Sequence, residues 1–268
     1  MSGAAAGVEW RLGTMGFGYP EWEGGFYPKG MRSADFLEFY AKHFNAVELD
    51  TTVYGVPTLE RVERWAAATP EGFRFCTKAP RLVTHELGLD RAAGPMGEFV
   101  DVMRRGLGEK LGVVVLQFSP EFTADEFPKL QRFLKELPAD VRFAVEFRDR
   151  SWGTDQTLAL LRERRVCLVA AEYLSRPRQV ISTTDFLYVR WVGKHHRFDH
   201  AGREKIDPTE SLQWWKGRIE EAAAGAAGTV WGFFNDDYSG FAIAACERFK
   251  RMVGVEVKER IGEAGLFG

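Results

Sequence analysis

Residues 141–152 read Val-Arg-Phe-Ala-Val-Glu-Phe-Arg-Asp-Arg-Ser-Trp, and the fold turns on this stretch. Val141, Phe143, Val145 and Phe147 alternate with Arg142, Ala144, Glu146 and Arg148. A period of two is the pattern of a β-strand, whose successive side chains point to opposite faces. Glu146 and Arg148 therefore share the face opposite the apolar set. On an isolated strand they would make a surface ion pair. In a closed barrel the same face points inward, toward where ligands bind.

Working outward, seven further stretches read as strands: residues 8–14, 46–52, 73–78, 111–118, 166–171, 186–192 and 229–235. Leu111 to Phe118 is almost wholly apolar, as suits a strand buried on both faces. Helical periods occupy about 34–43, 58–68, 95–108, 123–137, 154–164, 209–223 and 239–252, with Ser33 and Thr58 as N-caps. Between the sixth and seventh strands no good helix is found. Strands alternating with helices argue for parallel βα units, and eight of them for a (β/α)8 TIM-type barrel whose sixth helix is short or missing. An open doubly wound sheet is the alternative. The absence of a G-x-G-x-x-G turn after the first strand weighs against a dinucleotide site. Residues 1–7 read as a flexible tail, 8–254 as one barrel domain and 255–268 as a C-terminal extension.

The chain has 268 residues, a formal net charge of −2, 45% apolar and 28% charged residues. No global field recruits nucleic acid or an anionic membrane. No apolar run approaches the roughly 20 residues that cross a bilayer. Cys76, Cys167 and Cys246 are far apart in apolar contexts and read as buried thiols of a reducing compartment, so the expected location is cytoplasmic.

In such a barrel the functional face is the C-terminal ends of the strands. The polar residues there are Glu48, Asp50, Lys78, Gln117, Glu146, Arg148, Arg190, Asn235, Asp236 and Asp237. Glu48 and Glu146 suit an acid/base pair, with Lys78 a third catalytic candidate. The competing structural reading pairs Glu48 with Lys78, and Glu146 with Arg148 or Arg190, as buried charges require. Lys78, Arg148 and Arg190 together suit an anion such as phosphate or carboxylate. Tyr19, Trp22, Tyr54 and Trp152 could wall a pocket, or pack loops onto the rim. Asn235-Asp236-Asp237 could bind a ligand, or could simply start a helix. His195, His196 and His200 lack a metal-ligand spacing, so no metal and no cofactor are expected.

Beyond single residues, ordered motifs match a known pattern. They are G-T-M-G-F-G-Y-P-E-W at 13–22, F-Y-P-K-G at 26–30, H-F-N-A-V-E-L-D-T-T-V-Y at 43–54 and F-R-F-C-T-K-A-P-R-L-V-T-H at 73–85. V-L-Q-F-S-P at 115–120, A-V-E-F-R-D-R-S-W at 144–152, Y-V-R-W-V-G at 188–193 and F-F-N-D-D-Y-S-G-F-A at 233–242 continue it. By these the chain resembles the YecE-like family, domain of unknown function seventy-two. The resemblance implies a TIM-type barrel and no assigned reaction. It picks out Glu48, Tyr54, Lys78, His85, Gln117, Glu146, Arg148, Trp152, Arg190 and Asn235. The chain departs from the family pattern at 15–19, at Asp149, at 191–193 and at Asp236, which costs it two histidines. The expected function is an enzyme using acid/base chemistry, a hydrolase or isomerase, on a small anionic or sugar-like substrate. The alternatives are a non-catalytic ligand-binding or regulatory barrel and a metal-dependent phosphoesterase or nuclease.

Overall fold

The computed structural model describes residues 7–173, 178–194, 197–198, 202–224 and 228–258. In chain order the first half runs β1 (Glu9–Thr14), α1 (Phe36–His43), β2 (Ala46–Leu49), α2 (Leu59–Ala67), β3 (Arg74–Lys78), α3 (Ala93–Leu107), β4 (Leu111–Gln117) and α4 (Phe127–Glu136). The second half runs β5 (Arg142–Glu146), α5 (Asp155–Arg164), β6 (Cys167–Leu168), β7 (Ala170–Glu172), β8 (Phe186–Trp191), α6 (Thr209–Ala223), β9 (Thr229–Phe234), α7 (Asp236–Ser239) and α8 (Ala242–Met252). Parallel pairing requires a crossover between successive strands, which is why helices fall between most of them.

The strands form two parallel sheets, in the orders β2-β3-β4-β5-β6 and β1-β9-β8-β7. The stretch expected as one sixth strand is divided between them. Cys167 and Leu168 pair with Ala144 and Val145 of β5, whereas Ala170 and Ala171 pair with Val189 and Arg190 of β8. Val169 is the hinge residue: its N–H still donates to the Val145 carbonyl at 2.9 Å. At the other edge, Met15 bridges to Glu48 in parallel. There the Met15 N–H donates to Phe234 O, and the Gly16 N–H to Glu48 O.

Alternation along each strand separates two buried cores. Phe75, Val114, Leu116, Phe143, Val145, Leu187 and Val189 belong to the larger one, shared with the helices. The opposite parity contributes Ala46, Cys76, Val113, Val115, Ala144, Cys167, Phe186, Tyr188, Trp231 and Phe233 to a second core, drawn from both sheets. Each fully buried apolar side chain of this size contributes about 1.5–3 kcal/mol. Small and large residues are matched in the second core. A Cβ on Gly112 would lie 2.9 Å from the Trp231 ring, so only glycine leaves room for that indole.

Local chemistry sets most helix ends. Thr58 and Thr154 accept from the N–H groups of Arg61 and Thr157 and cap α2 and α5. Ser33 does not cap; it opens a 3-10 turn that leads into α1. The last helix begins at Ala242 rather than Ser239, because Gly240 at φ +98° ends α7 and reverses the chain. Residues 178–185 contain no helix, and 174–177 lie outside the described residues, as do 1–6 of the expected tail and 259–268 of the expected extension. Among the described residues no helix is long and apolar enough to cross a membrane.

Candidate functional site

The second core's parity continues to the C-terminal strand ends, and there it turns polar. Two residues beyond Ala46, Cys76, Val115, Ala144 and Tyr188 stand Glu48, Lys78, Gln117, Glu146 and Arg190. Five strands thus deliver charged or amide groups to one layer.

Arg190 is the centre of that layer and is 3% exposed. Its Nε donates to Glu48 Oε2 at 3.0 Å and its Nη2 to Glu48 Oε1 at 2.9 Å. This is the two-point contact that a planar guanidinium makes with a carboxylate. Its Nη1 donates to Glu146 Oε2, and Nη2 also meets Met15 Sδ at 3.4 Å. Tyr188 OH donates to Glu48 Oε2 at 2.8 Å. Glu146 Oε1 accepts from Arg148 Nε at 2.7 Å and from Gln117 Nε2 at 3.0 Å. Arg148 lies over the Tyr173 ring, 4.5 Å from its centroid.

Burial by itself would raise the Glu146 carboxyl. The Arg190 and Arg148 guanidiniums, with a contribution from Lys78, outweigh it and hold the group down at about 2. Glu146 is therefore a carboxylate at every physiological pH, with no proton to donate. The structure supports the ion-pair reading of the two glutamates, with one correction. Glu48 is held by Arg190 and Tyr188, not by Lys78. Arg190 spends its donors on both glutamates and is not a free anion ligand.

Lys78 is left over. It ends β3, is half-buried, and among the described residues its Nζ has no hydrogen-bond or ion-pair partner. Burial, then the Arg190 cation, lower its pKa against the opposing pull of Glu48, Glu146 and Asp50. Asp50 just beyond β2 moves the other way: burial first, then Glu48, raise its carboxyl. His85 is lowered by burial and by Arg81, Lys78 and Arg148, so it is neutral at pH 7; its Nδ1 lies 2.8 Å from Thr84 Oγ1.

The aromatic candidates separate. Tyr19 is half-buried at the rim, donates to Met15 O at 2.6 Å, and is raised by burial and by Asp50, Asp236 and Glu48. Trp22 is fully buried against Tyr19, Phe26, Tyr27 and Phe241, and its Nε1 donates to Asp236 Oδ2 at 2.9 Å. Trp152 is buried too, stacked on Phe147 and Phe122 and bonded through Nε1 to Phe122 O. These two indoles pack loops instead of walling a cavity. Tyr54 is 86% exposed on the turn after β2, free to meet a ligand.

The Asn235-Asp236-Asp237 motif after β9 is a helix start. Asn235 Oδ1 accepts from the Asp237 N–H at 2.9 Å, and Asp236 Oδ1 from the Ala242 N–H at 2.7 Å. Asn235→Ala is expected to cost about 1 kcal/mol in urea unfolding, with Asn235→Ser retaining most of it. A cost below a few tenths would remove the capping role. Among the described residues no group of three His, Cys, Asp or Glu could hold a metal ion, and His195, His196 and His200 lie outside them. Sequence reading missed Tyr188, Tyr173 and Met15. Tyr188 was findable, two residues before Arg190 on the same face; Tyr173 continues the parity of Cys167, Val169 and Ala171 but lies beyond the stretch read as the sixth strand.

The model of the family described as "Protein of unknown function DUF72" matches residues 11–265. The chain is 38% identical over 132 residues to the UPF0759 protein YecE of Escherichia coli K12, covering 49% of this chain and 47% of that protein. It is 32% identical over 164 residues to the UPF0759 protein YunF of Bacillus subtilis 168, covering 56% of each. These alignments span about half the length of the curated relatives. Among solved structures it is similar to a DUF72 family protein of Thermotoga maritima, with TM-score 0.72, 25% identity and coverage of 92% of this chain and 99% of that one. A DUF72 family protein of Enterococcus faecalis gives TM-score 0.74 at 22% identity, covering 93% and 99%.

Proposed function

This chain belongs to the DUF72 family, described as of unknown function, and on that footing we propose that it is an enzyme for a small anionic substrate. The substrate binds at the C-terminal strand ends, beside Lys78 and Arg148. The two sheets close into one eight-stranded barrel, the divided sixth strand and the Met15–Glu48 bridge being its two seams. One observation carries the reading. In a layer where Arg190, Glu48 and Glu146 are all committed to each other, the Lys78 ammonium has no partner among the described residues. A half-buried ammonium with no acceptor in direct contact favours either an incoming anion or its own neutral form. Arg148 adds to this, since it meets Glu146 through Nε and its two Nη groups have no partner among the described residues. Lys78, with Asp50 beside it, takes over the acid/base role from the two ion-paired glutamates, because burial lowers the ammonium and raises the carboxyl.

Thermal unfolding with phosphate, small carboxylates, sugar phosphates and neutral sugars tests this on the wild type and on Arg148→Met. An anion at ~100 times its dissociation constant adds about 2.7 kcal/mol, which raises the midpoint by roughly 5–10 °C for a chain of this size. Arg148→Met is expected to remove most of that shift. Equal shifts from neutral sugars, or none from any anion, would overturn the anionic reading. Turnover of the bound class then separates an enzyme from a barrel that only senses its ligand.

A further inference from the structure

Resting on that reading, we propose that Lys78 is a nucleophile that condenses with the carbonyl carbon of a small anionic aldehyde or 2-oxo acid to form an imine. Comparison among the chain's own lysines supports this. Lys110 Nζ donates to Ala66 O and Thr69 O at 2.6 Å, and the buried Lys250 Nζ donates to His43 O at 3.0 Å. Both are structural cations with oxygen acceptors. Lys78 Nζ, on the inward face of β3, has none among the described residues.

Its backbone is nevertheless fixed. Thr52 Oγ1 donates to Lys78 O at 2.7 Å and accepts from the Lys78 N–H at 3.1 Å. A braced backbone with a free amine is what a nucleophile needs: a defined trajectory and a lone pair not spent on a neighbour. The charged groups that act on it are Arg190, Glu48, Glu146 and Asp50, and it acts in turn on His85, as Arg148 does. Arg190 stands close enough to disfavour a second positive charge, and its own charge is already bound to the two glutamates. Arg148 supplies the contact for the substrate's carboxylate or phosphate.

The step balances without a further reactant. The Nζ lone pair forms the bond to the carbonyl carbon, and one amine hydrogen moves to the oxygen, giving a carbinolamine. The carbon–oxygen bond then breaks, the second amine hydrogen leaves with the hydroxyl as water, and the carbon–nitrogen double bond remains. Substrates of this class arise from oxidation of 2-hydroxy acids or from aldol cleavage of phosphorylated sugars. A carbon–carbon bond-making or bond-breaking step is the ordinary consumer of such an imine.

The experiment is reductive trapping on the whole protein. Wild type is incubated with glyoxylate, with pyruvate and with acetaldehyde at equal concentration, with cyanoborohydride, and the adduct is mapped by peptide mass. Glyoxylate is expected to label Lys78 at least ten times more than any other lysine, and Arg148→Met to lower that yield but not the yield with acetaldehyde. Lys78→Arg, which keeps the charge but has no amine to condense, is expected to lose the adduct, with the other lysines labelled as in the wild type. Labelling spread evenly over surface lysines, with the phosphate shift intact, overturns the imine and leaves the anion site standing. Selective Lys78 labelling by acetaldehyde and glyoxylate alike, without any anion shift, supports the imine and overturns the anionic substrate.

Discussion

Arg190→Ala is expected to destabilise the fold by about 3–5 kcal/mol, the cost of stranding buried charge after its partner is removed. Glu48 and Glu146 are 0% and 4% exposed, and both accept from this one guanidinium. Without it, Glu48 keeps Tyr188 alone, and Glu146 keeps Arg148 and Gln117. For a chain of this size the midpoint of thermal unfolding should fall by roughly 10 °C. Urea unfolding gives the free energy directly. The compensating variant is Glu48→Met, Glu146→Met and Arg190→Met together with Tyr188→Phe. It replaces charge and acceptor alike by apolar groups of similar size and should recover most of the loss, since a buried ion pair rarely surpasses well-packed hydrophobic residues. A cost below about 1 kcal/mol for Arg190→Ala would mean that water reaches the glutamates and the network is not closed.

Acid sensitivity is the second large effect. The Glu146 carboxyl is held at about 2 in the folded protein against an ordinary 4.5, because Arg190 and Arg148 outweigh the cost of burial. A group whose pKa is depressed on folding stabilises the native state only while it is ionised. Its contribution is fully present above the unfolded value and is lost as pH falls from about 4.5 through about 2. The shift corresponds to about 3 kcal/mol. The stability difference between wild type and Glu146→Gln, measured by urea unfolding at several pH values, should be constant from pH 7 to 5 and shrink below pH 4.5. A difference unchanged down to pH 3 would show that the carboxylate is not held by its arginines.

Much of the architecture could be read from pattern. Period-two alternation at 141–147 put Glu146 on the face opposite Phe143 and Val145, and that face is the one shared with Ala144 in the second core. Thr58 caps as its position before an amphipathic run suggests, because a hydroxyl there has an orphan N–H within reach. Ser33 fails the same expectation because a 3-10 turn intervenes before the α-helix. Pattern reading also could not tell that Val169 divides one strand between two sheets, since both halves are equally apolar. Nor does an aromatic in a Gly- and Pro-rich loop announce its direction. Trp22 and Tyr54 looked alike as pocket walls, yet one is fully buried and the other almost fully exposed.

The sequence by itself determined which residues occupy the polar layer, because side-chain parity along a strand is a local property of the backbone. Only the tertiary structure decided who pairs with whom. Arg190 takes Glu48 from 142 positions away and Glu146 from 44 positions away, and so removes the partner that Lys78 would otherwise have had. Ion pairing depends on distance in space and on the fit of a planar fork to a carboxylate, and neither is written in the spacing of residues along a chain.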